Sequence, residues 1–131
     1  MRVVLVGSNP SEKSPDNTAF HAATRSRMAV DGWFDDLDVE IHFINVCDRT
    51  RPGNRPLRVS EIRESLPAFR EKMTQFQNCK IVALGNTASK ALDLLEVKYH
   101  KMPHPSGLNR YWNCSENTYR AIEGLRKYLH E

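Results

Sequence analysis

Arg2-Val-Val-Leu-Val6 runs directly into Gly7-Ser-Asn-Pro-Ser11. An unbroken apolar run ended by glycine reads as a strand buried on both faces, because a half-exposed strand would alternate apolar and polar residues. The pattern recurs at Val39-Glu-Ile-His-Phe-Ile-Asn45 and, most cleanly, at Lys80-Ile-Val-Ala-Leu84-Gly85. Between these runs the period changes. Ile62, Leu66, Phe69, Met73 and Phe76 recur at alternating spacings of four and three, the stripe of a helix packed on a core. Ser60 is expected to cap that helix and Pro67 to kink or tighten it.

Working outward, Thr18 to about Val30 reads as a helix, with Phe20, Ala23 and Arg27 or Met28 marking its faces. Val46–Leu57 contains Pro52, Gly53 and Pro56 and reads as a loop. Thr87–Leu95 reads as a short helix, and Lys98–Met102 as a shorter, more polar strand suited to a sheet edge. Ser115 is expected to cap a last helix whose buried stripe is Ile122, Leu125 and Leu129. Strand and helix therefore alternate four times. Parallel strands need crossover connections, so the expected fold is α/β: a three-layer αβα sandwich with a four-stranded parallel sheet. The 131 residues are expected to form a single domain, residues 1–131, with one core.

Composition narrows the function. No apolar run is longer than Val3–Val6, which falls far short of a membrane span, and Met1–Gly7 lacks the features of a signal peptide. A cytoplasmic protein with no membrane partner is therefore expected. Cys47, Cys79 and Cys114 form no CxxC, and His21, His42, His100, His104 and His130 show no metal-binding spacing. No metal and no cofactor are expected. The net charge of +3 is mild, but its distribution is not. Asp31 to Glu40 carries five acids and no base, whereas Arg49 to Arg58 carries Arg49, Arg51, Arg55 and Arg58 and no acid. Opposite blocks suggest one face for an anion and another for solvent, although each alone is also what a solvated loop looks like.

Ligands of parallel sheets bind beyond the carboxyl ends of the strands. Four polar, Gly- and Pro-rich segments converge there: Gly7–Ser11, Asn45–Arg49, Gly85-Asn86 and Pro103–Arg110. The first has neither the lysine of a phosphate-binding P-loop nor the GxGxxG of a dinucleotide site. It offers one carboxamide, Asn9, able both to donate and to accept; an ordinary Asn-Pro turn is the alternative. His104 is held between Pro103 and Pro105, a stiff frame for an imidazole that donates to a developing anion, or simply a loop histidine. Leu108 at the tip of Gly107-Leu-Asn-Arg110 has the look of a wedge entering a base stack, as do many loop leucines.

Taken together, the strand followed by Gly7-Ser-Asn-Pro-Ser11 and the strand followed by Pro103-His-Pro-Ser-Gly-Leu-Asn-Arg110 resemble the two signature motifs of the uracil-DNA glycosylase superfamily. The asparagine in the first motif and the Pro-Ser-Gly-Leu-X-Arg run are similar to the mismatch-specific uracil/thymine branch. The His104-Pro105-Ser106 run is more like the thermostable bacterial and archaeal branches. Phe43-Ile-Asn45 resembles the family's strand ending in a base-reading asparagine, and Ser60–Leu92 resembles its third strand–helix unit. The resemblance covers nearly the whole chain in order. The chain departs from the family in being short, in lacking an aspartate in the first motif, and in lacking the cluster-binding cysteines of the thermostable branches.

The resemblance implies a DNA glycosylase that hydrolyses the N-glycosidic bond of uracil or a related pyrimidine flipped out of DNA. It implies Asn9 holding the attacking water and His104 donating to the base carbonyl that gathers charge. Phe20 would stack on the extruded ring, and Ser8 and Asn45 would bind it. Pro10, Ser11, Arg49, Arg51, Arg55, Ser106, Gly107, Leu108, Asn109 and Arg110 would contact DNA, with Leu108 filling the vacated stack. The implied partners are DNA and, as product, the free pyrimidine base, and the expected state is a monomer. Two other readings stay open: a weak or inactive member of the fold that binds DNA or nucleotides, and an enzyme of modified-pyrimidine metabolism.

Overall fold

A computed structural model describes residues 1–9, 25–49, 57–105 and 109–131. It has a four-stranded, all-parallel sheet in the order β2-β1-β3-β4, formed by β1 (Arg2–Gly7), β2 (Glu40–Asn45), β3 (Lys80–Leu84) and β4 (His100–Met102). Four helices alternate with the strands: α1 (Arg25–Trp33), α2 (Val59–Met73), α3 (Asn86–Leu94) and α4 (Ser115–Leu129).

The continuous apolar strands are explained by two cores back to back. Val4 and Val6 of β1, with Ile81 and Ala83 of β3, face α2 and α3 through Ile62, Phe69, Ala88, Ala91 and Leu92. Their neighbours Val3, Leu5, Val82 and Leu84 face α1 and α4 through Val30, Trp33, Leu125 and Leu129. Side chains alternate across a strand, so only a strand covered on both faces can be apolar at every position. Leu66, Met73 and Phe76 complete the expected α2 stripe as partly buried neighbours of the first core. Asn78, in the left-handed region at φ 65°, lies in the turn that leads into β3.

Element ends differ from expectation in several places. The α2 helix begins at Val59, so Ser60 lies in its first turn and is not the cap. The cap position is Arg58, whose backbone N–H donates to the Glu61 carboxylate at 2.9 Å, the bond in which the third residue of a helix reaches back to its cap. Ser115 is likewise the first residue of α4, with Cys114 at the cap position. The described part of α1 runs to Trp33, beyond Val30, and β4 begins at His100, not Lys98. The expected helical residues before Arg25, Phe20 among them, lie outside the described residues.

Strand order places the candidate ligand edge. From β1 the chain crosses to β2 on one side, and from β3 it crosses to β4 on the other. The connections thus diverge between β1 and β3, which is where a crevice opens at the carboxyl ends of the strands. Among the described residues no helix is long and apolar enough to cross a membrane.

Candidate active site

On one side of the crevice, the loops leaving β1 and β2 are zipped together. The ladder continues past the strands through Val46 N–H to the Gly7 carbonyl and Cys47 N–H to the Ser8 carbonyl, both at 2.9 Å. Asn9 extends it with its side chain, donating from Nδ2 to the Arg49 carbonyl at 3.3 Å. The Ser8 hydroxyl donates to Asn9 Oδ1 at 2.9 Å. These two bonds settle which way the amide faces. Its nitrogen is tied to a carbonyl and its oxygen keeps one lone pair beyond the one Ser8 takes.

Asn45 ends β2 directly beside Gly7 and is 3% exposed. Its carbonyl accepts from Lys72 Nζ at 3.2 Å, and the same ammonium pairs with Asp48 at 2.7 Å. A lysine on α2 therefore braces the β2 exit from outside.

On the other side, Gly85 follows β3 with φ 90° and ψ −178°, a region essentially restricted to glycine. Its N–H donates to the Met102 carbonyl at 2.9 Å, and its carbonyl accepts from the buried Ser89 hydroxyl at 2.8 Å. The His104 side chain packs on it. A Cβ at position 85 would lie 3.2 Å from His104 Cβ and 3.5 Å from its ring Cδ2. The missing side chain thus lets an imidazole that follows β4 lie against the exit of β3, the strand beside β1.

The His104 backbone is held as firmly. Its carbonyl accepts from Asn109 Nδ2 at 2.9 Å and from Trp112 Nε1 at 2.8 Å. Asn109 Oδ1 in turn accepts from Tyr111 N–H at 3.1 Å, starting a short 3₁₀ turn over Arg110–Asn113. Trp112 packs against Trp33 of α1, ring centroids 5.3 Å apart. Burial pushes the His104 pKa below its ordinary value, so the ring is neutral at neutral pH.

Of the residues expected at the site, Ser8, Asn9, Asn45 and Arg49 gather at the β1 and β2 exits. His104, Asn109 and Arg110 gather at the β3 and β4 exits, on the same edge of the sheet. The Asn109 side chain is engaged in bracing His104. Arg49 is exposed, and the carbonyl it supplies clamps Asn9. Pro10, Ser11, Phe20, Arg51, Arg55, Ser106, Gly107 and Leu108 lie outside the described residues.

The parts that three residues play escape a reading of the sequence alone. Gly85 is read there as a strand-ending glycine within a segment at the ligand edge, not as the seat of His104. Lys72 lies beside the apolar stripe of a helix that reads purely as core, and Trp112 lies in a segment with no motif of its own. Among the described residues no group of three or more His, Cys, Asp or Glu side chains is placed to hold a metal.

The model of the uracil DNA glycosylase superfamily matches residues 1–126. No curated protein matches the chain.

Proposed function

The chain belongs to the uracil DNA glycosylase superfamily, which supports a DNA-glycosylase type of function, and on that premise we propose that it hydrolyses the N-glycosidic bond of uracil or a related pyrimidine extruded from DNA. The observation that carries the reading is the neutral His104 imidazole seated on Gly85 at the β3 exit, on the sheet edge that also carries Asn9 and Asn45.

The chemistry asks for three things. The bond between the sugar C1′ and the pyrimidine nitrogen breaks with its electrons going to the base, which leaves as an anion while the sugar becomes cationic. A fixed donor near the base carbonyl stabilises that anion, and a neutral imidazole N–H on a rigid loop meets the need without reorganising. The base must also be out of the stack, at a cost of a few kcal/mol, and be read along its edge. The buried Asn45 amide offers both a donor and an acceptor for this.

Finally, a water adds to C1′ and gives up a proton, which ends on the departed base anion directly or through solvent. Asn9, oriented by Ser8 and the Arg49 carbonyl, has a lone pair left to align that water. An amide positions a water but cannot take its proton, so this site should be slower than one with a carboxylate there. DNA phosphates would be met by Arg49, Arg110 and the basic stretch that includes Arg51 and Arg55.

The test is release of free uracil from a single-stranded or mismatched oligonucleotide, leaving an alkali-labile abasic site. His104→Ala is expected to slow the chemical step about 100-fold with little change in DNA affinity. Asn9→Ala is expected to act in the same direction. An oligonucleotide that is bound without loss of any pyrimidine would instead assign the chain to DNA binding alone.

A further inference from the structure

A second concavity, of about 570 Å³, opens along the outer edge of β4. It is walled by His100 and Lys101 of β4, Tyr111 of the 3₁₀ turn, and Arg120, Ala121 and Gly124 of α4. It meets the crevice at Gly85 and His104. Its volume is in the range of small-ligand sites, roughly 300–1,000 Å³.

Among the described residues, the lining carries Lys101, Arg120 and His100 and not one carboxylate. This contrasts with the ion pairs elsewhere on the surface, where Arg2 meets Glu40, Lys72 meets Asp48 and Arg126 meets Asp36. The Lys101 ammonium donates to the Asn86 amide oxygen, a neutral partner that leaves its charge unbalanced there. Arg120 pairs with Glu116 one turn back, with both side chains about two-thirds exposed or more (71% and 66%). Such a pair is weak and readily gives way to a better anion, since a guanidinium has five donors.

The floor is built from small residues. Gly124 sits inside α4, where glycine is a poor helix former. A Cβ there would meet His100 Cε1 at an ordinary 3.8 Å, so no clash demands the glycine; its effect is to leave the groove open. Tyr111 is held as a wall by its hydroxyl, which donates to the Asn117 carbonyl at 3.2 Å. Cations beside an aromatic ring, in a groove that shares Gly85 and His104 with the candidate active site, are what a nucleic-acid strand requires.

We propose that this groove holds a nucleotide of the DNA strand flanking the reacting one, with its phosphate on Lys101 and Arg120 and its sugar or base against Tyr111 and the Ala121–Gly124 floor. The assignment of the strand rests on the glycosylase reading of the neighbouring crevice; the anion-binding chemistry of the groove does not.

The experiment measures fluorescence anisotropy of a labelled, uracil-free oligothymidylate over a range of NaCl concentrations. The Lys101→Ala/Arg120→Ala double variant is expected to bind about 10-fold more weakly. Its salt slope should fall by roughly 0.7, the value for one single-strand phosphate that is no longer neutralised. Lys127→Ala, which removes one charge from an exposed position of the same helix, is expected to behave like the parent. An unchanged slope in the double variant, or an equal weakening in Lys127→Ala, would overturn the proposal. So would thymidine monophosphate binding that the double substitution abolishes while oligothymidylate affinity is untouched, since that is a free-nucleotide site.

Uracil excision at saturating enzyme separates this idea from the one it adjoins. If the parent excises uracil and the double variant binds like the parent, the groove assignment falls alone. If the parent excises nothing yet the double variant drops in affinity and slope, the groove stands and the glycosylase reading falls.

Discussion

At position 85 the backbone lies at φ 90° and ψ −178°, and the space where a Cβ would project is taken by His104. Alanine there faces two penalties at once, an unfavourable conformation and a 3.2 Å approach to a side chain whose backbone is itself pinned by Asn109 and Trp112. Gly85→Ala is therefore expected to destabilise the fold by about 1–3 kcal/mol, read by urea denaturation. If the protein still folds, the substitution should also displace the imidazole and lower activity as His104→Ala does. A variant as stable and active as the parent would mean that His104 does not depend on this seat. In the sequence, His104 stands out because two prolines flank it, whereas Gly85 looks like one more strand-ending glycine. Its role depends on packing against a residue 19 positions away, which no local pattern reports.

Elements are legible in the sequence wherever periodicity governs them. The β1 and β3 runs and the α2 and α4 stripes follow from burial, and burial writes itself into the order of apolar residues. Ends are less legible because capping is chosen among competing partners. At α2 the Glu61 carboxylate reaches the Arg58 N–H and Val59 opens the helix, with Ser60 in its first turn. At α4 the boundary moves by one residue for want of a side-chain cap. The same helix supplies a stability test. Gly124 has room for a methyl group, so Gly124→Ala is expected to stabilise the protein by about 0.5–1 kcal/mol through helix propensity. Thermal denaturation should show a higher midpoint, and a lower one would mean that His100 cannot accept the added methyl.

Across the whole molecule, charge follows strand direction. The acidic block Asp31–Glu40 leads into β2 and so lies at the amino-terminal edge of the sheet, where Glu40 pairs with Arg2. Arg49, at the start of the basic block, follows β2 at the opposite edge, beside the crevice. The two blocks are plain in the sequence, but placing Glu40 and Arg49 at opposite edges requires the sheet topology. Stability should carry a pH signature from the two imidazoles that are partly withdrawn from water. Burial lowers the pKa of both His104 and His100 in the folded state, so below about pH 6.5 the unfolded chain binds more protons. Stability should be full above that pH and decline as the pH falls from it toward the folded-state values. The midpoint of thermal unfolding at pH 5 should lie below that at pH 7.5, and His104→Gln should narrow the gap. An equal gap in the variant would show that His104 is not held neutral by the fold.

The chain has just two tryptophans, Trp33 and Trp112, and they touch. One belongs to α1, and the indole N–H of the other grips the His104 carbonyl. All of the indole emission therefore originates at the strut beneath the His104 loop. The protein carries its own optical gauge, and any occupant that shifts that loop should announce itself in the ultraviolet without an added dye.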